Sequence, residues 1–433
     1  MITIKISDMF IALARKIEKV GGRMYIVGGA VRDMLLGNEP QDIDYCVSGI
    51  DEDTLKDLTH VSKIQGATFP VFIVDGSEVA FARSERKTGK GHKKFDIHTD
   101  KSISIEQDLA RRDLTINAMA MDVLTEQVID PFNGENDLKN KILRHTTKAF
   151  KEDPLRVYRV ARFSAKLGFN VAEETIEIMK EMKDELLTLS KERVFAEFRK
   201  ALLEKYPERF FEVLKDAGVL EIHFKELADL IGVEQPVQYH PEGDAYVHTM
   251  EVLQRAVEMT PNAKLGSDEE LTRFGALVHD FGKSATPREE WPHHYGHEDR
   301  GIPLIGKFCK RIGTPNVFEK AGKLVSKLHM KAGRINTLKA GSKVKLFEEI
   351  YNSRSISFEG VEIIAKADSK DYTISFANLA KETYKIRATE EMKGKCTSDG
   401  VLDYEKLKMQ LMQKRIEFVK THSSLQHTKN ANL

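Results

Sequence analysis

Cysteine is scarce in this chain: Cys46, Cys309 and Cys396 are all that its 433 residues contain. Three scattered thiols make neither a disulfide framework nor a cysteine-rich zinc site, and they fit a reducing compartment. Net charge is missing as well, because 67 Lys and Arg balance 67 Asp and Glu. That excludes a uniformly basic nucleic-acid coat but leaves room for local basic patches. No apolar run approaches the ~18–20 residues needed to span a bilayer. The first twenty residues lack the compact apolar core and small-residue cleavage site of a signal peptide. A cytoplasmic protein with no membrane partner is therefore expected. No fixed-period repeat is present, which excludes a solenoid. What is present is ordinary globular material, 41% apolar and 31% charged, enough for several cores. At roughly 100–200 residues per domain, two to four domains are expected.

The spacing of Met9, Phe10, Leu13, Ile17 and Val20 predicts a helix over 8–20. Residues 24–27 read as a strand ended by Gly28-Gly29, 30–36 as a helix closed by Gly37, and 42–47 as a second strand. Two further β-like runs cover 69–74 and 78–83. This mixture makes the N-terminal third an α/β domain. From Glu152 on, the pattern turns helical, over 153–167, 173–188, 191–205, 207–217, 246–259, 269–281 and 301–313. Gly168, Pro207, Gly218, Pro236, Pro241, Gly243 and Gly301 punctuate it. The polar tail, 423–433, is expected to fray.

The chemistry-bearing residues begin with IVGGAVRD, where a strand runs into Gly28-Gly29 and a helix opens. Glycines there admit a phosphate to the backbone, the helix N-terminus attracts it, and Arg32 can reach the same anion. A plain tight turn has the same appearance. Asp42 and Asp44 follow at a spacing that puts two carboxylates on one strand face. Side by side they repel unless a cation lies between them, and an all-oxygen pair suits Mg²⁺. Glu78, in EVAFAR, is the candidate third carboxylate. Arg111 and Arg112 can clamp triphosphate oxygens. In KEDPLRVYRVARF, Asp153 and Pro154 predict a helix start. Arg156, Arg159 and Arg162 then fall roughly on one face and need anionic partners, which a nucleotide would supply. A salt-bridged structural helix is the competing reading.

Together VGGAVRD, QDIDYCV, EVAFARSERKTGKG, RRDLTINAMAMD, GENDL and EDPLRVYRVARF resemble the class II tRNA nucleotidyltransferases, the CCA-adding enzymes. These belong to the polymerase β-like superfamily, and the segments appear in the family's order over about residues 24–170. Bacterial poly(A) polymerases share most of them. The resemblance implies that Asp42 and Asp44, with Glu78, hold Mg²⁺. It implies that Gly29, Arg32, Arg111 and Arg112 bind the nucleoside triphosphate. Asp153 and Arg156 would select cytosine and then adenine, with Arg159 and Arg162 as further nucleotide-binding positions. The basic segment 83–94 would be a flexible loop that helps order the site.

A second constellation is rich in histidine. YVHTMEV places His248 in an amphipathic helix, LVHDFGK pairs His279 with Asp280 on a helix ending near Gly282, and WPHHYGHEDRG adds His293, His294 and His297. Several histidines with one HD pair fit a mixed nitrogen–oxygen metal site. They resemble the HD-domain phosphohydrolases, and CCA-adding enzymes with an appended HD domain form a recognisable subgroup. His248, His279, Asp280 and His329 are the expected ligands, for Ni²⁺ or another divalent metal. The subgroup pattern leads one to expect an acidic residue after His329, where Met330 stands here. A thioether does not replace a carboxylate for a hard ion, and an aspartate within 365–372, such as Asp368, is the candidate substitute. An HD fold that only supports tRNA is the alternative.

The expected fold class is therefore α+β: an N-terminal polymerase β-like nucleotidyltransferase α/β domain, a mostly α-helical neck and body, and an α-helical HD domain. The expected limits are 1–148 for the catalytic head, 149–240 for the neck and body, 241–375 for the HD domain, and 376–433 for the helical C-terminal region. The function implied is template-independent addition and repair of the 3′-terminal CCA of tRNA with CTP and ATP, by a monomer or homodimer. An additional phosphohydrolase activity is implied for the HD domain. The alternatives are a poly(A) polymerase, or an HD phosphohydrolase with a nucleotide-sensing N-domain.

Overall fold

The N-terminal helix forms because Phe10, Leu13, Ala14 and Ile17 recur at helical spacing and bury one face; α1 spans Asp8–Lys19. In this computed structural model the described residues are 5–40, 42–59, 62–63, 71–87, 95–98, 100–238, 240–398 and 401–430. Strands β1 (Arg23–Val27) and β2 (Asp44–Ser48) flank the short helix α2 (Gly29–Leu35). Helix α3 (Glu52–Leu58) follows, then β3 (Ser62–Lys63), β4 (Val71–Val74) and β5 (Ser77–Phe81). A hairpin of β6 (Ser84–Lys87) and β7 (Phe95–His98) leads to α4 (Ile105–Ala110), β8 (Ala120–Asp122) and β9 (Val128–Ile129). The sheet order is β3-β4-β5-β2-β1-β8-β9, with β2 and β5 parallel and the other neighbours antiparallel.

Strands β1 and β2 are apolar on both faces because both are covered. Tyr45 stacks on Phe10 of α1, with ring centroids 4.0 Å apart. On the opposite face Tyr25, Val27 and Cys46 join Ile105 and Leu109 of α4 in one core. Helix α4 is started by a capping box, in which Ser104 and Gln107 each accept from the other's backbone N–H. This is the turn that aims Asp108 inward.

The remaining elements are helical apart from short β pairings. Helices α5 (Gly134–Asn140), α6 (Leu155–Leu167), α7 (Glu173–Glu181), α8 (Lys183–Leu186), α9 (Lys191–Leu203), α10 (Glu208–Asp216) and α11 (Leu220–Ala228) come first. Then follow α12 (Ala245–Glu258), α13 (Asp268–Val278), α14 (His297–Ile312), α15 (Asn316–Gly333), α16 (Ala340–Ser353), α17 (Phe358–Ser369), α18 (Ala377–Lys385), α19 (Glu390–Lys395) and α20 (Tyr404–Asn430). The chain divides into two units, Met1–Ala201 with Arg209–Ile222 and Leu202–Glu208 with His223–Leu433. The second unit has its own core, which includes Val252, Ala276, Val325, Leu328, Phe347 and Ile364. Among the described residues, no helix is long and apolar enough to cross a membrane.

Several expectations are corrected. Asp42 lies in a bend before β2, because the ladder begins where Asp44 meets Val27. The helix expected over 173–188 breaks at Met182, whose buried side chain sits on non-helical backbone (φ −85°, ψ 5°). The helix expected at 301 already starts at His297, so Gly301 lies inside α14 rather than ahead of it. Its lack of a side chain serves packing: a Cβ there would sit 2.4 Å from the Ser326 Oγ of α15. Helix α20 runs on to Asn430 where fraying was expected. Of the run 69–74, residues 69 and 70 lie outside the described residues, as do 88–94 of the expected basic loop.

Gly282 is under a harder constraint than Gly301. A Cβ on it would come within 1.9 Å of the His297 carbonyl oxygen and 2.6 Å of the Gly301 nitrogen, both backbone atoms. Gly282→Ala is therefore expected to cost about 1–3 kcal/mol and Gly301→Ala less, since a serine side chain can swing away. Calorimetric unfolding of the two variants checks the order, and equal or reversed losses would contradict this packing.

Candidate functional site

In the first unit the turn after β1 is built for close approach. Gly28 has φ +70° and ψ −120°, a conformation open to glycine, and a Cβ on it would stand 2.8 Å from Arg112 Nη1. Asp44 heads β2 with its side chain exposed, and Asp42 stands exposed two residues before it. Partial burial pushes the Asp44 carboxyl up, Arg112 pulls it down and Asp42 pushes it up again. Asp42 and Arg112 thus both act on the charge of Asp44. The parallel register of β2 and β5 brings Tyr45 opposite Val79, which sets Glu78 level with Asp44. The ligand oxygens of Asp42, Asp44 and Glu78 do not fall in one group within 4.8 Å.

The arginines expected to meet a nucleotide are already engaged by protein. Asp108, 1% exposed, takes Arg111 at 2.6 Å on one oxygen and Arg112 at 3.1 Å on the other. Arg32, 4% exposed, donates to Asn117 Oδ1 at 2.6 Å and to Asp33. Asn117 Nδ2 donates to Asp113 Oδ1 at 3.3 Å, and Asp113 Oδ2 accepts from Arg159 Nε at 2.7 Å. One hydrogen-bonded chain, Arg32–Asn117–Asp113–Arg159, thus ties three of the sequence segments together. Arg162 pairs with Glu197 at 2.6 Å. Arg156 donates to the carbonyls of Ala149 and Arg111, each at 2.7 Å. Asp153 accepts from the Leu155 N–H at 3.0 Å, as the expected cap, and pairs with Arg193 at 3.0 Å.

The repulsion along α6 is therefore answered by Asp113, Glu197 and backbone carbonyls, without a nucleotide. The guanidinium groups of Arg32, Arg159 and Arg162 also lie 5.4, 5.6 and 4.6 Å from the ring centre of Phe163. Sequence reasoning gave no role to Asp108, Asp113 or Asn117, although Asp113 and Asn117 lie inside the quoted segment RRDLTINAMAMD and Asp108 stands three residues before it. The signal was available: Asp108 stands three and four residues before Arg111 and Arg112, and Asp113 four before Asn117.

In the second unit four elements converge on Asp280. Asp244 caps α12 through the N–H groups of Tyr246 and Val247, which sets His248 in its first turn. His279 and Asp280 follow the end of α13, and a 3-10 turn over Phe281–Ala285 succeeds them. Asp368 comes from α17, His297 opens α14, and His329 lies on α15. His248 Nε2 is 3.0 Å from Asp368 Oδ1 and 3.7 Å from Asp280 Oδ2, and His279 Nε2 is 3.1 Å from Asp280 Oδ2. Lys283 Nζ reaches Asp280 Oδ2 and Gln235 Oε1, each at 2.5 Å. Glu242 holds His248 Nδ1 at 2.6 Å.

Burial pushes the His279 imidazole down, but Asp280 and then Asp368 outweigh it and hold it up to about 10. Burial raises Asp280 and Asp368 in turn, yet their histidine neighbours keep both far below the usual carboxylate range. His279 Nε2 and Asp280 Oδ1 are buried without a hydrogen bond in good geometry, while Asp280 Oδ2 is answered by the Lys283 ammonium. Such an arrangement calls for positive charge, and its donor set fits a divalent metal. The groups able to hold one are His248–His279–Asp280, Asp280–His297–His329 and His240–Glu242–His248. Asp368, the candidate substitute for a carboxylate at position 330, lies 3.0 Å from His248 Nε2 and comes from a different helix. Glu242 and Lys283 were not foreseen.

Known proteins match this chain over both regions. The model described as the poly A polymerase head domain matches residues 24–144. One for a probable RNA- and SrmB-binding site of polymerase A matches 168–231, and the HD domain matches 245–373. The multifunctional CCA protein of Pasteurella multocida is 44% identical over 359 residues, 81% of this chain and 84% of its own. That of Haemophilus influenzae is 45% identical over 332 residues, 75% of this chain and 79% of its own.

The chain belongs to the multifunctional CCA protein family.

Solved structures agree in fold. A CCA-adding enzyme in apo form II is 20% identical, with TM-score 0.67, over 97% of this chain and 95% of that one. A CCA-adding enzyme with ATP is 19% identical, with TM-score 0.64, over 95% and 91%. The fold class is therefore the expected one, with a polymerase-type head and an HD domain. Asp108 and Asp113 both lie within the matched head region, 24–144.

Burial pushes the Asp108 carboxyl up, and Arg112 and Arg111 outweigh it; burial pushes Asp113 up, and Arg159 outweighs it. Both carboxyls end below their ordinary range. Their stabilisation is complete above the unfolded value, about pH 4, and is lost as pH falls through the lower folded value. Asp108→Asn should flatten the dependence of the urea midpoint on pH between about pH 7 and 3. A variant with the parent's slope would rule out this ion pair as a source of acid lability.

Proposed function

We propose that this chain adds and repairs the 3′-terminal CCA of tRNA, using CTP and ATP without a nucleic-acid template. The observation that carries the reading is Asp44, paired with Val27 beside the Gly28-Gly29 turn that Arg112 approaches, with Asp42 two residues before it, in a chain of this family. Asp42 and Asp44, with Glu78, would hold Mg²⁺, which when bound supplies charge neutralisation and acidifies the attacking hydroxyl. The tRNA 3′-hydroxyl oxygen attacks the α-phosphorus, the bond to the bridging oxygen breaks, pyrophosphate leaves, and the hydroxyl proton passes to solvent. Gly29 leaves the opening turn of α2 free for the triphosphate. Arg32, Arg111 and Arg112 hold it in line. Asp153 and Arg156 read the base edge by hydrogen bonds, with Arg159 and Arg162 supporting the nucleotide. The protein-held state of these arginines supports a preformed site, whose geometry is set before the ligand arrives.

The domain limits 1–148, 149–240, 241–375 and 376–433 go with this reading. In the HD domain, His248, His279, Asp280 and Asp368 would hold Ni²⁺ or another divalent metal for hydrolysis of phosphate esters, 2′,3′-cyclic phosphates among them. The buried Asp280 carboxylate, whose Oδ1 has no hydrogen bond in good geometry, supports that part.

Asp42→Ala should lower incorporation of labelled CTP and ATP into tRNA lacking its CCA end by about a hundredfold or more, with products resolved at single nucleotides. Parent-like addition by the variant would overturn the catalytic reading, and a long A tail from the parent would make it a poly(A) polymerase. Asp280→Ala should lose hydrolysis of 2′,3′-cyclic AMP with Ni²⁺ and keep CCA addition. Hydrolysis that survives this change would remove the HD site from the proposal.

A further inference from the structure

We infer that the end of α16 carries a docking pocket for a backbone phosphate of the tRNA, in which Lys320 and Arg354 supply the charge. This goes beyond the CCA-adding reading above and rests on it.

The pocket is a cavity of about 440 Å³. Helix α15 lines it with Val317 and Lys320, and the end of α16 with Asn352, Ser353, Arg354 and Ser355. The serines close its floor. The Ser355 hydroxyl and N–H both donate to Ser353 Oγ, at 3.1 and 3.3 Å, and the Ser353 hydroxyl donates to the Ile350 carbonyl at 2.9 Å. What is left to meet a ligand is the Lys320 ammonium, the Arg354 guanidinium and the Asn352 amide. All three residues are exposed, and no lining residue is acidic. Among the described residues none of the three has an acidic or hydrogen-bonding partner.

Neighbours on the same helices behave otherwise. Lys323 pairs with Glu319, and Lys327 with Glu349 of α16. The chain holds as many acids as bases, so cations left unpaired around one cavity call for an anion from outside the chain. The backbone points the same way. Arg354 has φ 51° and ψ 22°, the left-handed conformation in which a helix commonly ends on glycine. An arginine there carries its charge at the turn itself. The C-terminus of α16 alone would repel an anion, and the two cations reverse the sign.

The positive patch continues past the cavity. Tyr351 is 39% exposed, and Arg387 donates to its hydroxyl at 3.2 Å. Arg387, and then Arg354, hold that phenol below its ordinary value. Arg387 also has no acidic partner among the described residues.

Two cations and an amide suit a phosphate. Val317 is the one apolar residue of the lining, and no aromatic ring joins it, so nothing there encloses a base. That chemistry fits the backbone of a polynucleotide better than a free mononucleotide, and it positions the RNA without reading its sequence.

The test is tRNA binding by the full chain, followed by anisotropy of labelled tRNA lacking its CCA end between about 50 and 200 mM salt. Arg354→Gly removes the guanidinium where the backbone suits glycine, and Lys320→Gln removes the ammonium from an exposed helical position. The double variant should bind about five- to tenfold more weakly, with a salt slope smaller by about one to two. Its KM for tRNA should rise by the same factor, with kcat at saturating tRNA and KM for CTP unchanged. Affinity and slope equal to the parent's would overturn the pocket and leave the CCA reading standing. Loss of AMP binding by calorimetry, with tRNA affinity unchanged, would give the cavity to a free nucleotide and overturn the proposal too. A parent that binds no tRNA would overturn the CCA reading, and this proposal with it. If the double variant fails to fold, Lys320→Glu decides alone: weaker tRNA binding is expected, and the parent's affinity would overturn the pocket.

Discussion

A carboxylate taken out of water has to be answered by positive charge, and both units of this protein are organised around that requirement. Asp108 and Asp113 are buried in the first unit and Asp280 in the second. Asp108 takes Arg111 and Arg112 from the next turn of the chain, Asp113 takes Arg159 from α6, and Asp280 collects partners from several segments. The cost of burying the acid is offset only when the geometry of those partners is nearly fixed, so the carboxylate becomes the point about which they are oriented. That is a structural demand first. It also leaves arginines and histidines standing in defined directions, which phosphate chemistry needs.

In the head domain the consequence is that arginines do two jobs. Arg111 and Arg112 share Asp108, and Arg159 holds Asp113, which reaches Arg32 through Asn117. Guanidinium groups carry several donors in a planar fork, so a group bonded through one edge keeps others to offer. Along α6 the contacts are those of a salt-bridged helix, with Arg159 on Asp113 and Arg162 on Glu197, and the nucleotide-binding role of the same side chains is the proposal made above.

The HD domain shows the complementary case. Here the acid is central and imidazoles surround it, each pinned by a backbone carbonyl or by Glu242. The close seating of α14 beside the turn after Asp280 depends on Gly282 and Gly301, where a methyl group would meet neighbouring atoms. Small residues at this cluster thus serve the approach of the backbones that carry it.

Much was legible in the sequence. Periodicity marked α1, α6, α12 and α13 within a few residues, since each buries a stripe that recurs every turn. The Gly28-Gly29 turn, the cap at Asp153 and the HD pair were legible because each is made by neighbours in sequence. The start of β2 was misjudged, because a strand ends where its partner ends, and that partner is β1. The pairing of Arg159 with Asp113 joins residues 46 apart, and that of His248 with Asp368 joins residues 120 apart. No local spacing encodes such a distance. Residue types and local geometry determined what chemistry the chain can carry. Which acid meets which base was decided only by the packing of sheet and helices, because a buried charge is paired by whatever the fold brings within reach.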